Sequence, residues 1–327
     1  MNAQPAMAEV SSETGSLRGV DLVSLERCRL CGTARAGMTV WREDVPDLER
    51  PEYRYALLRC AHCGLIATDP YPSDATIALL YAEGDSSDYE FPERGPIAAL
   101  KERLAARWVK KISREAKVRP QRILDFGTGA GRYAAAAARA LPDAVVIGTD
   151  FRSAAPSGSY FEAALPNLRY VSYPRVIASR ERFDLIFARH VLEHTGDPIE
   201  MVRSWLRMLS PDGALYIEIP NTSSATAKLL ERRWPLLYVP KHLSHFTRDT
   251  LARTIHLAGG GARISRCELP MMGNVLALRM GHSRFDPRFR LPGVLLHPVQ
   301  LALEAFARQG TCLYALVRHG SDRPVNA

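Results

Sequence analysis

From Pro120 onward, short apolar runs alternate with segments whose apolar residues recur at helical spacing. The runs predict strands at 121–126, 144–150, 168–172, 183–189, 213–219 and 262–270, with a last one near 311–318. Helices are predicted at 131–140, 198–209 and 248–258, the last stopped by Gly259-Gly260-Gly261. The stretches 153–163 and 174–181 carry no decisive pattern. Such alternation belongs to a doubly wound α/β fold, here a mostly parallel seven-stranded sheet with helices on both faces.

The chain before Pro120 reads differently. Residues 73–119 are helical in pattern, over 75–81 and then 97–117, and Asp69-Pro70 and Tyr71-Pro72 mark the turn before them. Residues 25–72 are strand-like and carry most of the cysteines, and the first 24 residues are small, polar and read as disordered. The expected division is a disordered N-terminus at 1–24, a zinc ribbon at 25–72, a helical linker or lid at 73–119 and one large domain at 120–327. Within that domain a helical insertion at 271–310 separates the last two strands and is expected to cover the substrate or a partner subunit.

Four of the six cysteines form two pairs, Cys28-Arg-Leu-Cys31-Gly32 and Cys60-Ala-His-Cys63-Gly64. Two such knuckles supply two thiolates each, the set a tetrahedral zinc ion requires. Four sulfur ligands close the coordination sphere, so the metal is structural, stapling a segment too small to bury a core of its own. The alternative is four free or redox-active thiols. His62 is expected to face solvent, and Cys267 and Cys312 to lie alone as buried apolar side chains.

The run Ile123-Leu-Asp-Phe-Gly-Thr-Gly-Ala-Gly131 is a strand, a tight turn and a helix N-terminus. Gly127, Gly129 and Gly131 permit a close backbone approach to a ligand, and ligands of open α/β sheets sit at the carboxyl ends of the strands. The residues at those ends are Asp125 with the glycines and Thr128, then Asp150, Arg189-His190 and Pro220-Asn221. The glycine spacing is GxGxG, not the GxGxxG of a dinucleotide site, and no lysine is present to bind a triphosphate.

A formal charge of +8 comes from arginines scattered along the chain, which read as solvated faces and disfavour a nucleic-acid partner. No secretory signal is visible at the N-terminus, so the expected location is cytoplasmic. The segment nearest to a membrane span, Leu291 to Phe306, is interrupted by Pro292, Pro298, Gln300 and Glu304. An amphipathic packing helix is expected there, with an interfacial helix meeting a lipid-linked substrate as the alternative.

Together these motifs resemble class I S-adenosylmethionine-dependent methyltransferases, in the branch with an N-terminal zinc-binding segment, related to deoxysugar C-methyltransferases. ILDFGTGAG looks like their first motif, Asp150 in VVIGTDFRS stands at their second, and FDLIFARHVLEHTGDPIEMVRSWLRMLSPDGALYIEIPN is similar to the fourth and fifth. The knuckles followed by CGLIATDPYPSDATIALLYAEGDSSDY also match that branch, so the likeness covers about residues 25 to 265.

The resemblance implies a Rossmann-like methyltransferase fold and a methyl transfer from S-adenosylmethionine to a small molecule, a sugar or natural-product intermediate. Asp125, Gly127, Thr128, Gly129, Gly131, Asp150, Phe151 and Arg189 would bind the cofactor, with Asp150 on the ribose hydroxyls and Phe151 against adenine or in the core. Ser172 and Tyr173 stand where the family often has an acid for the adenine amino group. His242 is the expected base, with His190 or His194 shaping the pocket, although Lys241 replaces the glutamate that precedes the family's histidine. The more conservative expectation for His194 and His245 is a hydrogen bond to a backbone carbonyl, and Tyr81 and Tyr89 match tyrosines near the cofactor. An RNA- or protein-directed methyltransferase and an inactive cofactor-binding module are the alternatives. The acceptor, the atom methylated and the oligomeric state are left open.

Overall fold

The structure is a computed structural model that describes residues 21–50, 52–73, 76, 91–93, 95–282 and 286–320. The expected disorder of 1–20 and most of the helix at 75–81, with Tyr81 and Tyr89, lie outside the described residues.

Two short strands, β1 (Leu22–Val23) and β5 (Tyr71–Pro72), pair antiparallel and bracket the N-terminal unit. Between them run β2 (Met38–Pro46), β3 (Arg54–Cys60) and β4 (Ile66–Asp69). This antiparallel sheet takes its last strand from far along the chain: the order is β11-β4-β3-β2, and β11 is Ser244–His245. The unit expected at 25–72 is therefore completed by a piece of the large domain. Val45, Tyr55, Leu57 and Ile66 share a core with Trp234, Leu237 and Val239, which seals the junction.

Helix α1 (Pro96–Glu115) leads into β6 (Arg122–Phe126), α2 (Arg132–Ala140), β7 (Val145–Thr149), β8 (Leu168–Tyr170), α3 (Tyr173–Ser179) and β9 (Phe183–Arg189). Then come α4 (Pro198–Met208), β10 (Leu209–Pro220), α5 (Ala225–Leu230), β11, α6 (Arg248–Leu257), β12 (Gly260–Cys267), α7 (Met272–Arg279), α8 (Arg290–Phe306) and β13 (Cys312–His319). The large sheet has seven strands in the order β12-β13-β10-β9-β6-β7-β8. From β8 to β10 every pairing is parallel, and β13 runs antiparallel to both its neighbours. The order reverses between β6 and β9, and a crevice for ligand opens at the carboxyl ends of strands at such a point.

Both faces are filled by the two-residue alternation of the central strands. Leu124, Ile186 and Ala188 pack with Trp205 and Leu206 of α4 and Ile255 of α6. Ile123, Leu185 and Phe187 point the other way, onto Val109 and Ile112 of α1 and the alanines of α2. Helix α1, in the segment expected at 73–119 to be a helical linker or lid, thus contributes Val109 and Ile112 to the large domain's core. The segment without a decisive pattern at 174–181 forms α3, while 153–163 holds a single 3₁₀ turn at Tyr160–Glu162. Asp197 caps α4 by accepting the Glu200 N–H at 2.9 Å, and a Thr247/Thr250 capping box starts α6.

Cys267 and Cys312 are not alone, because the register of β12 and β13 sets them directly opposite one another. The largest departure concerns α8, whose buried residues are Gly293, Gln300 and Glu304 while most of its apolar side chains face outward.

Candidate active site

The glycine turn after β6 is bent by φ values of 72° at Gly127, 53° at Gly129 and 87° at Gly131, the left-handed region that glycine occupies without strain. A Cβ on Gly127 would lie 2.4 Å from Val191 Cγ2, and one on Gly131 would lie 2.4 Å from Phe161 Cε2. The turn therefore needs glycine for space as well as for conformation. Its contact with Val191 also brings it against the loop that leaves β9.

Two carboxylates organise this turn. Asp125 accepts the Thr128 hydroxyl at 2.7 Å, and burial lifts its carboxyl to about 6 against the pull of Thr128 and Arg189. Asp150, just beyond β7, accepts the Gly129 N–H at 3.0 Å and the Phe151 N–H at 2.7 Å. Burial raises its pKa as well, opposed by those two amides. The Phe151 side chain is 53% exposed, so of its two expected placements the core is excluded.

At the end of β9 the side chains form a charged network over the β10 strand. Arg189 donates to Glu218 at 2.9 Å, its guanidinium lies 3.8 Å from the centroid of the Tyr133 ring, and Tyr216 donates to the same Glu218 at 2.5 Å. Glu218 is fully buried, yet Arg189 and His190 hold its pKa well below the usual carboxylate range. Arg189 is thus committed to an internal ion pair, and its role at the site is to hold β9 and β10 in place.

His190 has a left-handed backbone, φ 52°, which turns its ring between two acids. Its Nδ1 is 3.3 Å from Glu193 Oε1, and its Nε2 is 3.2 Å from Glu218 Oε1, close enough for an ion pair although off hydrogen-bond geometry. Burial disfavours the charged ring, but the two carboxylates outweigh it and raise the pKa to about 9. A group with a folded pKa of about 9 and an unfolded value near 6.5 contributes stability that is complete below pH 6.5. That contribution is lost as the pH rises through 9. We expect the urea midpoint to fall over this window in the wild type and to stay flat in His190→Asn. Asparagine tolerates the left-handed backbone but does not titrate.

His194 and His242 come from distant parts of the chain and meet edge to face, ring centroids 4.5 Å apart. His194 donates from Nδ1 to Lys241 O at 3.0 Å, as the conservative expectation had it. His242 donates from Nδ1 to Leu236 O at 2.9 Å, which leaves Nε2 as the unprotonated nitrogen of the neutral ring. That Nε2 lies 3.9 Å from Glu193 Oε1, and Glu193 is buried with Oε2 unbonded among the described residues. Burial and the neighbouring His194, His245 and His190 push the His242 pKa well below its ordinary value. His245 departs from expectation, since its partner is a hydroxyl: Nε2 is 2.9 Å from Thr68 Oγ1, which itself donates to His242 O at 2.6 Å.

Thr68 belongs to β4, so the N-terminal sheet clamps the loop that carries His242. Glu49, between β2 and β3, adds a second tie: it accepts from Tyr238 at 2.5 Å and from Lys241 at 3.0 Å. Lys241 is thereby paired with an acid from the N-terminal unit, and Glu193 stands beside the His242 ring. Glu193, Glu218, Glu49 and Thr68 were not among the residues expected to build the site. An isolated acid in the apolar run Leu215-Tyr-Ile-Glu218-Ile219 is a signal that could have singled out Glu218.

The four knuckle cysteines converge. Cys28 and Cys63 sulfurs are 3.4 Å apart and those of Cys31 and Cys60 are 3.5 Å apart, with no disulfide among them. Each knuckle closes identically, the Gly32 N–H on Cys28 O and the Gly64 N–H on Cys60 O, both at 2.9 Å. Four thiols at one point fit a tetrahedral zinc ion. His62 is exposed and outside the cluster.

Residues 98–259 match a family model described as "Methyltransferase domain". The ubiquinone biosynthesis O-methyltransferase of Neisseria meningitidis serogroup C (strain 053442) is 29% identical over 138 residues, 40% of this chain and 58% of that protein. A trans-aconitate 2-methyltransferase of Methylobacterium radiotolerans is 32% identical over 130 residues, 39% of this chain and 48% of that protein. The chain spans about half the length of these curated relatives. Among solved structures, the plantazolicin methyltransferase BpumL, in complex with a monoazolic desmethylPZN analog and SAH, aligns with a TM-score of 0.49 and 19% identity. That alignment covers 76% of this chain and 95% of that one.

Proposed function

With a methyltransferase domain at residues 98–259 as the premise, we propose that the chain transfers a methyl group from S-adenosylmethionine to a small-molecule acceptor, a sugar or natural-product intermediate. What carries the reading is one juxtaposition. Three left-handed glycines and the Asp150 carboxylate lie at the ends of β6 and β7, and the turn touches the loop that brings Glu193 to His242.

In this reading Gly127, Thr128, Gly129 and Gly131 supply the close backbone wall, Asp125 fixes the turn through Thr128, Asp150 accepts the ribose hydroxyls and Phe151 covers the adenine. The sulfonium of the bound cofactor supplies an activated methyl group, so the protein's task is to orient the acceptor and take its proton. His242 Nε2 is the group this reading assigns to that task. Its tautomer is set by Leu236 O, its low pKa keeps it unprotonated at neutral pH, and Glu193 stabilises the imidazolium that proton transfer creates. In the same reading His190 and His194 shape the acceptor pocket.

Replacing His242 with alanine is expected to lower kcat roughly 100-fold or more while leaving S-adenosylhomocysteine affinity unchanged. In the wild type, kcat should stay level from pH 8 down to about 6.5, because His242 remains a free base over that range. Wild-type turnover in the alanine variant would remove His242 from the chemistry. An acid limb in kcat above pH 6.5 that disappears in His242→Ala would show that the ring is not held neutral.

A further inference from the structure

We propose that the α7–α8 hairpin docks on the surface of an anionic lipid bilayer. This proposal does not depend on the reaction. It rests on α8 being turned inside out. Gln300 and Glu304 are 0% exposed, while Leu291, Val294, Leu295, Val299 and Leu303 lie open and Phe306 is 93% exposed.

That orientation is built in. Glu304 accepts the N–H groups of Ala225 and Thr226, both at 2.9 Å, and the Thr226 hydroxyl at 2.8 Å, placing a carboxylate on the N-terminus of α5. Gln300 accepts the Met271 N–H at 3.1 Å and donates to Leu269 O at 2.9 Å. Rotating α8 to hide its leucines would leave the Ala225, Thr226 and Met271 N–H groups and Leu269 O without these partners. The two helices also pack tightly: a Cβ on Gly293 would lie 2.6 Å from Gly273 N, so they cross backbone to backbone.

The charges around the apolar face identify what covers it. Among the described residues 272–310, Arg279, Arg288, Arg290 and Arg308 are exposed. The acids are the buried Glu304 and Asp286, which is bonded to Arg288; Arg290 also lies 3.7 Å from Glu93. Exposed arginines on the same segment as the open leucines and Phe306 match lipid phosphates above acyl chains. Two copies of the chain joined through this face would bring like-charged arginines together, and the acids near them, Asp286 and Glu93, already pair with Arg288 and Arg290. Spanning is excluded by length: 17 residues reach about 25 Å, short of a bilayer core of about 30 Å, and Pro298 interrupts the helix. Among the described residues no helix is long and apolar enough to cross a membrane. The helix would lie in the interface, with its polar side held by the protein.

The test is cosedimentation of the full chain with vesicles. The wild type should pellet with vesicles of equimolar phosphatidylglycerol and phosphatidylcholine, and much less with phosphatidylcholine alone. Leu295→Asp and Phe306→Asp should each lower the bound fraction's apparent affinity roughly tenfold or more, with unchanged thermal melts because both side chains already face water. Arg308→Glu should weaken binding to the anionic vesicles only. Undiminished binding by Leu295→Asp and Phe306→Asp would overturn the proposal, as would a wild type that ignores anionic vesicles. A dimer in sedimentation velocity that Leu295→Asp dissociates, without vesicle binding, would overturn it in favour of a second copy of this chain.

Discussion

Asp150→Ala should bind S-adenosylhomocysteine roughly 100- to 10,000-fold more weakly than the wild type. In the structure both carboxylate oxygens already accept backbone N–H groups, from Gly129 and Phe151, which fixes the side chain and ties it to the glycine turn. Two further hydrogen bonds from ribose hydroxyls to a charged acceptor contribute about 1.5–3 kcal/mol each, and each 1.4 kcal/mol is a factor of ten. The alanine also leaves the Gly129 N–H without its partner, which loosens the turn that meets the ligand. Asp150→Asn keeps the shape and loses the charge, so its affinity should fall between the two. Calorimetry on variants whose melts match the wild type checks the prediction. A ligand affinity in Asp150→Ala equal to that of the wild type would remove Asp150 from the binding site.

Metal removal should abolish turnover while sparing cofactor binding. One zinc ion per chain is expected, held by Cys28, Cys31, Cys60 and Cys63. A structural zinc contributes about 10–16 kcal/mol of binding free energy, comparable with the whole stability of a domain at about 5–15 kcal/mol. Loss of the metal releases β3 and β4, and with β4 goes Thr68, whose hydroxyl and backbone hold the chain at His242 and Leu243. Glu49 leaves Lys241 by the same route. The glycine turn and Asp150 sit on β6 and β7, which keep their own neighbours in the large sheet. Chelation, or Cys60→Ser, should therefore lower kcat by more than about 100-fold through misplacement of His242. Hydrogen exchange should accelerate over 54–69 and 242–246, with much smaller change at 122–131. A metal-free protein with full turnover and protected amides at 242–246 would contradict this coupling.

The central sheet was legible because its strands obey local rules. The apolar run at 183–189 is β9 residue for residue, and the other six strands differ from the expected bounds by a few positions, since fully buried strands keep their hydrophobic identity along their length. The glycine turn and the paired cysteines were legible for the same reason, as each is a local backbone requirement. The rest depends on contacts that no window along the sequence contains. Thr68 meets His242 across 174 positions and Glu49 meets Lys241 across 192, and neither partner carries a local pattern that announces the other. Strand β11 has two residues, too short for any periodicity. Helix α8 has the alternation of an amphipathic helix, but its inward face is chosen by the α5 N-terminus and by the chain at Leu269–Met271, which satisfy Glu304 and Gln300. Cys267 and Cys312 become partners only once the register of β12 and β13 is known.

Isothermal titration of the purified chain with S-adenosylhomocysteine decides whether the glycine turn and Asp150 hold the cofactor. Saturable binding at one site per chain is expected, and no heat from a nicotinamide dinucleotide, whose fingerprint the GxGxG turn lacks. Silence toward S-adenosylhomocysteine with tight binding of the dinucleotide would contradict that reading.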